Sequence, residues 1–444
     1  MASERHLAVI EQGAAAWNEW RRRSPGVVPD LIDASLPGAE LAGADLRVAL
    51  LLKADLSGAN LEGAQLHKAI LGSARLGGAN LSGADLERAE CHDAMLAGAD
   101  FGGATLDHGI FLGANLHKAR FVAASMGHAL FRGADLREAD LKGSSHAETD
   151  FTEADLSGAD MSDTFAGPVL FDRARLIGAK LRGAVLNGAS FRDALLEEAD
   201  LRGADLTSAD LEGANLRGAD LRKADLNKAR LVRTNLRKAN LSGCSIFAVS
   251  TWGVKLRDAK QVDLRITDMG EPLIAVDDLE IAQFIYQLLH NRKLRDVIAG
   301  VSSSIVLILG RFTSDRKPAL DAIRKAVRSY DYTPVLFDCE PLASRDIAET
   351  LAALARMTRF IIADLTDASA VLNELRVVVP ELPTIPVQPL LLSGAKEDRT
   401  LQRLKRHSSF LPLHRYRDVE SLPVLITESV IGQVEAAARE LQGL

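Results

Sequence analysis

The chain has 444 residues, 47 % hydrophobic and 25 % charged, with a formal net charge of −7 at pH 7; that is material for two or three folded units. Three cysteines, Cys91, Cys244 and Cys339, imply no disulfide framework. Met1 to Gln12 lacks a basic end followed by an apolar run, and no later segment approaches about 18 uninterrupted apolar residues, so the chain reads as soluble and cytoplasmic, with no membrane span.

In the first 28 residues, Leu7, Ile10, Ala14 and Trp17 fall at helical spacing. They predict one amphipathic helix over residues 5–23, ending in Arg21, Arg22 and Arg23, whose charge suits a helix C-terminus. Its expected work is to cap the element that follows.

That element occupies residues 29–256. A leucine or phenylalanine recurs at every fifth position from Leu31 to about Leu256, with alanine two residues earlier, and the register never slips. Representative units are Ala199-Asp200-Leu201-Arg202-Gly203 and Ala214-Asn215-Leu216-Arg217-Gly218. A period of five fits neither strand nor helix. It makes sense if the alanine and the leucine point inward, the other three residues face water, and the chain turns a corner in every unit. Cys91 and Cys244 fall on inward positions as small hydrophobes. These units resemble the pentapeptide-repeat family, a right-handed quadrilateral β-helix with four pentads per coil. The resemblance implies about 44 pentads in about 11 coils, a rod on the order of 50 Å long.

Two pentads depart from the pattern. His146 and Ala166 hold central positions 20 residues apart, and Ser144, Thr149, Thr164 and Val169 replace the nearby alanines. Stacked on one face, they suggest a bulge or protruding loop, or an imidazole turned outward. Some pentapeptide-repeat proteins mimic duplex DNA, which requires a strongly acidic surface. Here the charges are mixed, and Arg222, Lys223, Lys228, Arg230 and Arg233 make the last coils basic without interleaved aromatics. Nucleic acid is therefore not the expected partner; a protein docking on the β-helix surface is.

The lattice fades through Thr251 to Glu271, and residues 257–300 read as a linker and connecting helix. Asp277 and Asp278 stand as N-terminal caps of a helix over Asp277–Ala299, with Ile281, Phe284, Ile285, Leu288 and Leu289 on one face. That face packs on the following domain or joins a second copy of the chain.

Residues 301–444 change period again. Ile305–Leu309, Pro334–Phe337, Phe360–Ala363, Ile385–Leu392 and Leu413–Tyr416 read as strands. Pro318–Tyr330, Arg345–Thr358, Val371–Val379, Asp398–Ser408 and Pro423–Leu441 read as helices. The alternation predicts a flavodoxin-like α/β domain with a parallel sheet, in which ligands gather beyond the carboxyl ends of the strands. Those loops carry Gly310, Arg311 and Phe312, then Asp338, then Asp364, Thr366 and Asp367, with Glu374 on the helix that follows.

The segment from Phe360 to Asp367, with Asn373-Glu374-Leu375, is similar to TIR-like and nucleoside deoxyribosyltransferase-like domains. Val371 and Leu372 replace the Trp-Cys pair that TIR domains place before the glutamate. The resemblance implies Glu374 as the catalytic group in cleavage of an N-glycosidic bond. NAD or a related nucleotide would be the substrate and no cofactor would be needed. The carboxylate would stabilise or capture an oxocarbenium ion, with Asp364 holding ribose hydroxyls or orienting the glutamate and Arg311 binding phosphate. Gly310, Phe312, Asp338, Thr366 and Asp367 complete the expected substrate site. Such effectors work as homo-oligomers, here through the connecting helix or the TIR-like domain. A binding module without chemistry is the alternative.

Overall fold

The computed structural model describes residues 2–268, 271–290, 304–339, 347–366 and 369–442. The chain forms two compact units, Met1–Cys244 with Val249–Lys260, and Ser245–Ala248 with Gln261–Leu444.

In the first unit pentads close on the pentad twenty residues later. Parallel bridges run from Asp30↔Leu50 to Asn240↔Lys260, so four pentads complete one coil. Each bridge is a pair of hydrogen bonds: Leu36 N–H donates to Asp55 O at 2.7 Å, and Asp55 N–H to Ala34 O at 2.8 Å. The alanines and the central leucines or phenylalanines are buried from Leu41 to Leu241, each leucine contributing roughly 1.5–3 kcal/mol. Asp or Asn before the leucine closes the corner, its Oδ1 accepting the N–H two residues on, as at Asp55–Ser57 (3.1 Å) and Asp205–Thr207 (2.9 Å). The fifth residue sits at positive φ, 67° at Gly38 and 60° at Asp33, which explains the recurrent glycine.

Phenylalanines form columns inside this wall. Phe111, Phe131, Phe151, Phe171 and Phe191 stack face to face at 4.8–5.2 Å between centroids. That spacing matches the rise from one strand to the next.

His146 corrects the sequence reading. The bridges Ser125↔Ser145, Ser145↔Phe165 and Phe165↔Val185 continue, the irregularity is confined to the corner at Gly167-Pro168, where a bend replaces the usual turn, and His146 is wholly buried rather than turned outward. The shortened Ala166 in the next coil makes room for the imidazole. Its Nε2 lies 2.9 Å from Ser144 Oγ, and its ring meets Phe151 edge-on at 5.6 Å. The hydroxyls replacing alanine are satisfied by main-chain carbonyls, Thr149 by Met126 and Thr164 by Met161. Nδ1 of His146 has no hydrogen-bond partner. Burial pushes its pKa down to about 3.

The cap is two helices, not one. α1 (Glu4–Ile10) and α2 (Ala14–Arg23) are divided by Gly13 at φ 94°. α2 covers the edge of the first coil, where unpaired main-chain groups need partners. Asn18 accepts from Asp45 N–H and donates to Gly43 O, while the buried Trp17 donates to Asp45 O. Arg21 bonds the carbonyls of Val27 and Arg47, so one arginine of the triplet seals the end of the solenoid. At the other end the ladder continues to Lys260, past the point where the alanine and leucine lattice fades.

The second unit is built on a seven-stranded sheet of order β1-β2-β4-β3-β5-β6-β7. Strands β3 (Ile305–Gly310), β4 (Thr333–Asp338), β5 (Phe360–Asp364), β6 (Val387–Leu392) and β7 (His414–Tyr416) are parallel. Two short strands arise in the segment read as linker, β1 (Leu264–Arg265) and β2 (Ile274–Val276), and extend the sheet antiparallel beyond β4. α3 (Leu279–His290) packs on β2 and on α5 (Ile347–Ala355), yet leaves Phe284 44 % exposed. The remainder of the predicted connecting helix lies outside the described residues. Asp278 caps α3, accepting from Glu280 and Ile281 N–H at 2.9 Å, while Gln261 Oε1 accepts the Leu279 N–H at 2.8 Å. Asp277, read as a second cap, is buried against Arg324 (3.2 Å) and Arg328 (2.8 Å).

Between and after the strands come α4 (Lys317–Arg328), α6 (Ser369–Glu381), α7 (Leu401–Leu404), α8 (Leu422–Leu425), a π-helical turn and α9 (Ile431–Gln442). α7 is shorter than predicted because Asp398 accepts Thr400 N–H at 2.7 Å and holds a turn where a helix was expected. The core packs Ala319, Leu320, Ile323 and Val327 of α4 with Ile426, Val430 and Val434 against Val306, Ile308, Leu336 and Ile362 of the sheet.

The neutral folded His146 sets a pH dependence. The unfolded histidine takes up a proton near pH 6.5 and the folded one only near 3, so stability is greatest above the first value and declines toward the second. Chemical unfolding of wild type against His146→Leu at several pH values is expected to show wild type losing roughly 1.4 kcal/mol more per pH unit across that window.

Candidate active site

The loops after β3, β4 and β5 lie at the carboxyl edge of the parallel strands, and the residues singled out from sequence divide there into two groups. In the first, Asp338 ends β4 and is nearly buried. It accepts the Phe312 N–H at 3.2 Å, with Arg311 Nε 3.7 Å from the same oxygen. Cys339 follows, its N–H bonded to Gly310 O at 2.9 Å. Burial raises the thiol pKa, and the charges of Glu374 and Asp338 raise it further, with Arg311 opposing. The charges of Glu374, Asp338 and Arg311 thus all reach Cys339. Glu374, on α6, is half-buried, and desolvation raises its own pKa.

Phe312 turns inward. It packs against the core while the ammonium of Lys317 sits 4.6 Å from its ring centroid, so its ring supports the loop. Gly310 also has a packing role: a Cβ there would come within 2.4 Å of Leu320 Cδ2, so the missing side chain lets α4 lie close on β3.

The second group surrounds Asp364. This carboxylate is 2 % exposed, paired with Arg316 through Oδ2, and accepts at Oδ1 from the Tyr416 hydroxyl (3.2 Å) and Thr366 N–H (3.1 Å). Arg316 also donates to the Tyr416 oxygen. Thr366 Oγ1 lies 3.2 Å from that hydroxyl and accepts Leu392 N–H at 2.9 Å. Asp364, expected to hold ribose hydroxyls or to orient the glutamate, is hydrogen-bonded within the protein on both oxygens. Its work is to tie β5, β7 and the start of α4 together. Asp367 lies outside the described residues.

Arg316, Cys339 and Tyr416 were not singled out from sequence. The first is 48 positions from its carboxylate and the last 52, separations that no local motif encodes. A cavity of about 410 Å³ opens on the other side of α6, lined by Leu365, Ser369, Leu372, Leu391, Lys396 and Asp398 among others. Glu374 does not line it, so this cavity and the desolvated carboxylate belong to different faces of the same helix. On the solenoid, His67, Asp85 and Glu87 bring one ligand atom each within 4.8 Å of one another, all partly exposed.

Residues 30–67, 64–103, 74–113, 99–137, 134–165, 171–207 and 204–243 match the family described as pentapeptide repeats. The first unit is a pentapeptide-repeat β-helix. The repeat matches end at residue 243. Among solved structures, the chain is similar to HetL, a pentapeptide-repeat protein involved in heterocyst differentiation regulation in the cyanobacterium Nostoc. That similarity has 28 % identity over 55 % of this chain and 95 % of HetL, with a TM-score of 0.30. QnrB1, a plasmid-mediated fluoroquinolone resistance protein, aligns at 18 % identity over 40 % of this chain and 88 % of its own, with a TM-score of 0.25. No curated protein matches the sequence.

Because the space beside Gly310 is filled by Leu320, Gly310→Ala is expected to destabilise the second unit by about 1–3 kcal/mol. Denaturant unfolding followed by tryptophan-independent circular dichroism reads this, and Leu320→Ala in the same chain is expected to cost less than it does beside the native glycine.

Proposed function

We propose that the pentapeptide-repeat unit is a protein-docking scaffold and that the second unit is a TIR-like effector cleaving the N-glycosidic bond of NAD or a related nucleotide. The observation that carries this reading is the half-buried Glu374 on the helix after β5, its carboxyl raised by desolvation and its charge reaching Cys339 at the end of β4, next to Asp338. The order β4-β3-β5-β6-β7 supports it, being that of flavodoxin-like doubly wound sheets, which bind ligands along this edge.

In the proposed reaction the bond between ribose C1 and the nicotinamide nitrogen breaks. The electron pair goes to the pyridinium, which leaves neutral. The Glu374 carboxylate faces the oxocarbenium that develops, where low dielectric strengthens its charge. Water then adds to C1 and loses its proton to solvent. In this reading Arg311, partly exposed, binds a phosphate oxygen. Assembly of copies through α3, with its exposed Phe284, or through the α/β unit is the expected means of activation. Among the described residues no helix is long and apolar enough to cross a membrane.

The binding-module reading is favoured by one observation, the closure of Asp364 within the Arg316–Tyr416 network. Chromatographic measurement of NAD loss separates the two, using folded wild type, Glu374→Ala and Glu374→Gln at low and high protein concentration. Loss in wild type alone is the expected outcome; no loss at any concentration selects the binding module. Since burial raises the Glu374 pKa, the acid side of the kcat/KM profile is expected to fall at a higher pH than an ordinary glutamate titrates. A fall at or below the ordinary range, about 4.3, removes Glu374 from the catalytic role.

A further inference from the structure

One face of the pentapeptide solenoid differs from the others. Its bridging column carries Leu50, Ile70, Glu90, Ile110, Leu130, Asp150 and Leu170, stacked in that order by parallel bridges. Each side chain points away from the core, since the neighbours on either side of it in sequence, such as Ala49 and Leu51, are the buried ones. Leu52 and Leu112 flank the column on the same face, and Leu112 and Leu170 are 37 % and 42 % exposed. The column across the coil, with Glu40, Asn60, Asn80, Asp100, Arg120 and Asp140 at its bridging positions, is polar throughout. A solenoid needs no outward aliphatic column for its own stability. This one spans six bridge steps, roughly 29 Å at strand spacing.

We propose that this face docks on the same face of a second copy of the chain, antiparallel, about a twofold axis at Ile110. Charge selects that arrangement. Parallel pairing in register sets Glu90 on Glu90 and Asp150 on Asp150, which is repulsive. The antiparallel pairing sets Leu50 against Leu170, Ile70 against Asp150, Glu90 against Leu130 and Ile110 against itself. It brings Glu90 beside the partner copy's level of Leu130 and Arg132, and Lys68 level with Glu148. Glu90 has no ion pair among the described residues; Arg132 and Glu148 are held loosely within the chain, by Asp150 at 3.7 Å and His128 at 3.4 Å. Such a self-complementary patch is the geometry of a twofold dimer. The two acidic residues in the column then act as a register key, admitting one alignment of two otherwise repetitive rods.

The test uses the full chain. Sedimentation is expected to show a dimer, and Ile110→Asp, which places two carboxylates at the axis, to weaken it by roughly a hundredfold with the circular dichroism unchanged. All three native cysteines are buried, so an introduced thiol reports alone. On mild oxidation Ile110→Cys is expected to form an intermolecular disulfide. Leu50→Cys is expected to form one only when mixed with Leu170→Cys. A monomer at every concentration, a dimer indifferent to Ile110→Asp, or self-crosslinking of Leu50→Cys overturns the proposal.

Discussion

The hydrogen-bonded bridge between each pentad and the one twenty residues on governs the first unit. It makes the backbone of every coil the template of the next, so that inward positions superpose and only side chains of a fitting size stack without voids. Alanine at one inward position and leucine or phenylalanine at the other follow from that superposition. So does the Asx turn at corners that carry Asp or Asn, because the four-sided path leaves no room for a longer loop. The stack tolerates His146 only because the side chain in the next coil has shrunk to Ala166 and hydroxyls nearby return to main-chain carbonyls.

The second unit obeys a different rule. Its parallel strands are buried on both faces and its polar chemistry is expelled to their carboxyl ends, where two carboxylates meet opposite fates. Asp364 is enclosed by Arg316 and Tyr416 and becomes a tie between strands. Glu374 stays half-buried without a hydrogen-bonded cation among the described residues, and desolvation raises its pKa. A buried charge that is fully paired serves architecture; one that is desolvated and left accessible is available for chemistry.

The pentad lattice was legible because its period is written in side chains at every turn, and the strands β3 to β5 because fully buried parallel strands read as apolar runs. The break at Gly13 was hidden by an apolar spacing that continues across it. His146 misled because polarity argues for an outward side chain, and the space that admits it lies twenty residues away. Strands of two and three residues, such as β1 and β2, are too short to show alternation. At the candidate site the positions of Asp338 and Arg311 followed from strand ends, whereas the closure of Asp364 depends on Tyr416, brought alongside only by the fold of the sheet.

Four bridges per coil also tie chain length to direction. Deleting or duplicating twenty residues shortens or lengthens the solenoid and leaves every outward column aligned. Deleting five rotates all that follows by a quarter turn, carrying half of the aliphatic column onto the neighbouring wall while the interior remains filled. The hydrophobic pattern inside is blind to such a change; the surface is not. Gene-level gains and losses in this region are thus filtered in units of a whole coil wherever a continuous wall is needed, and in units of a pentad wherever it is not.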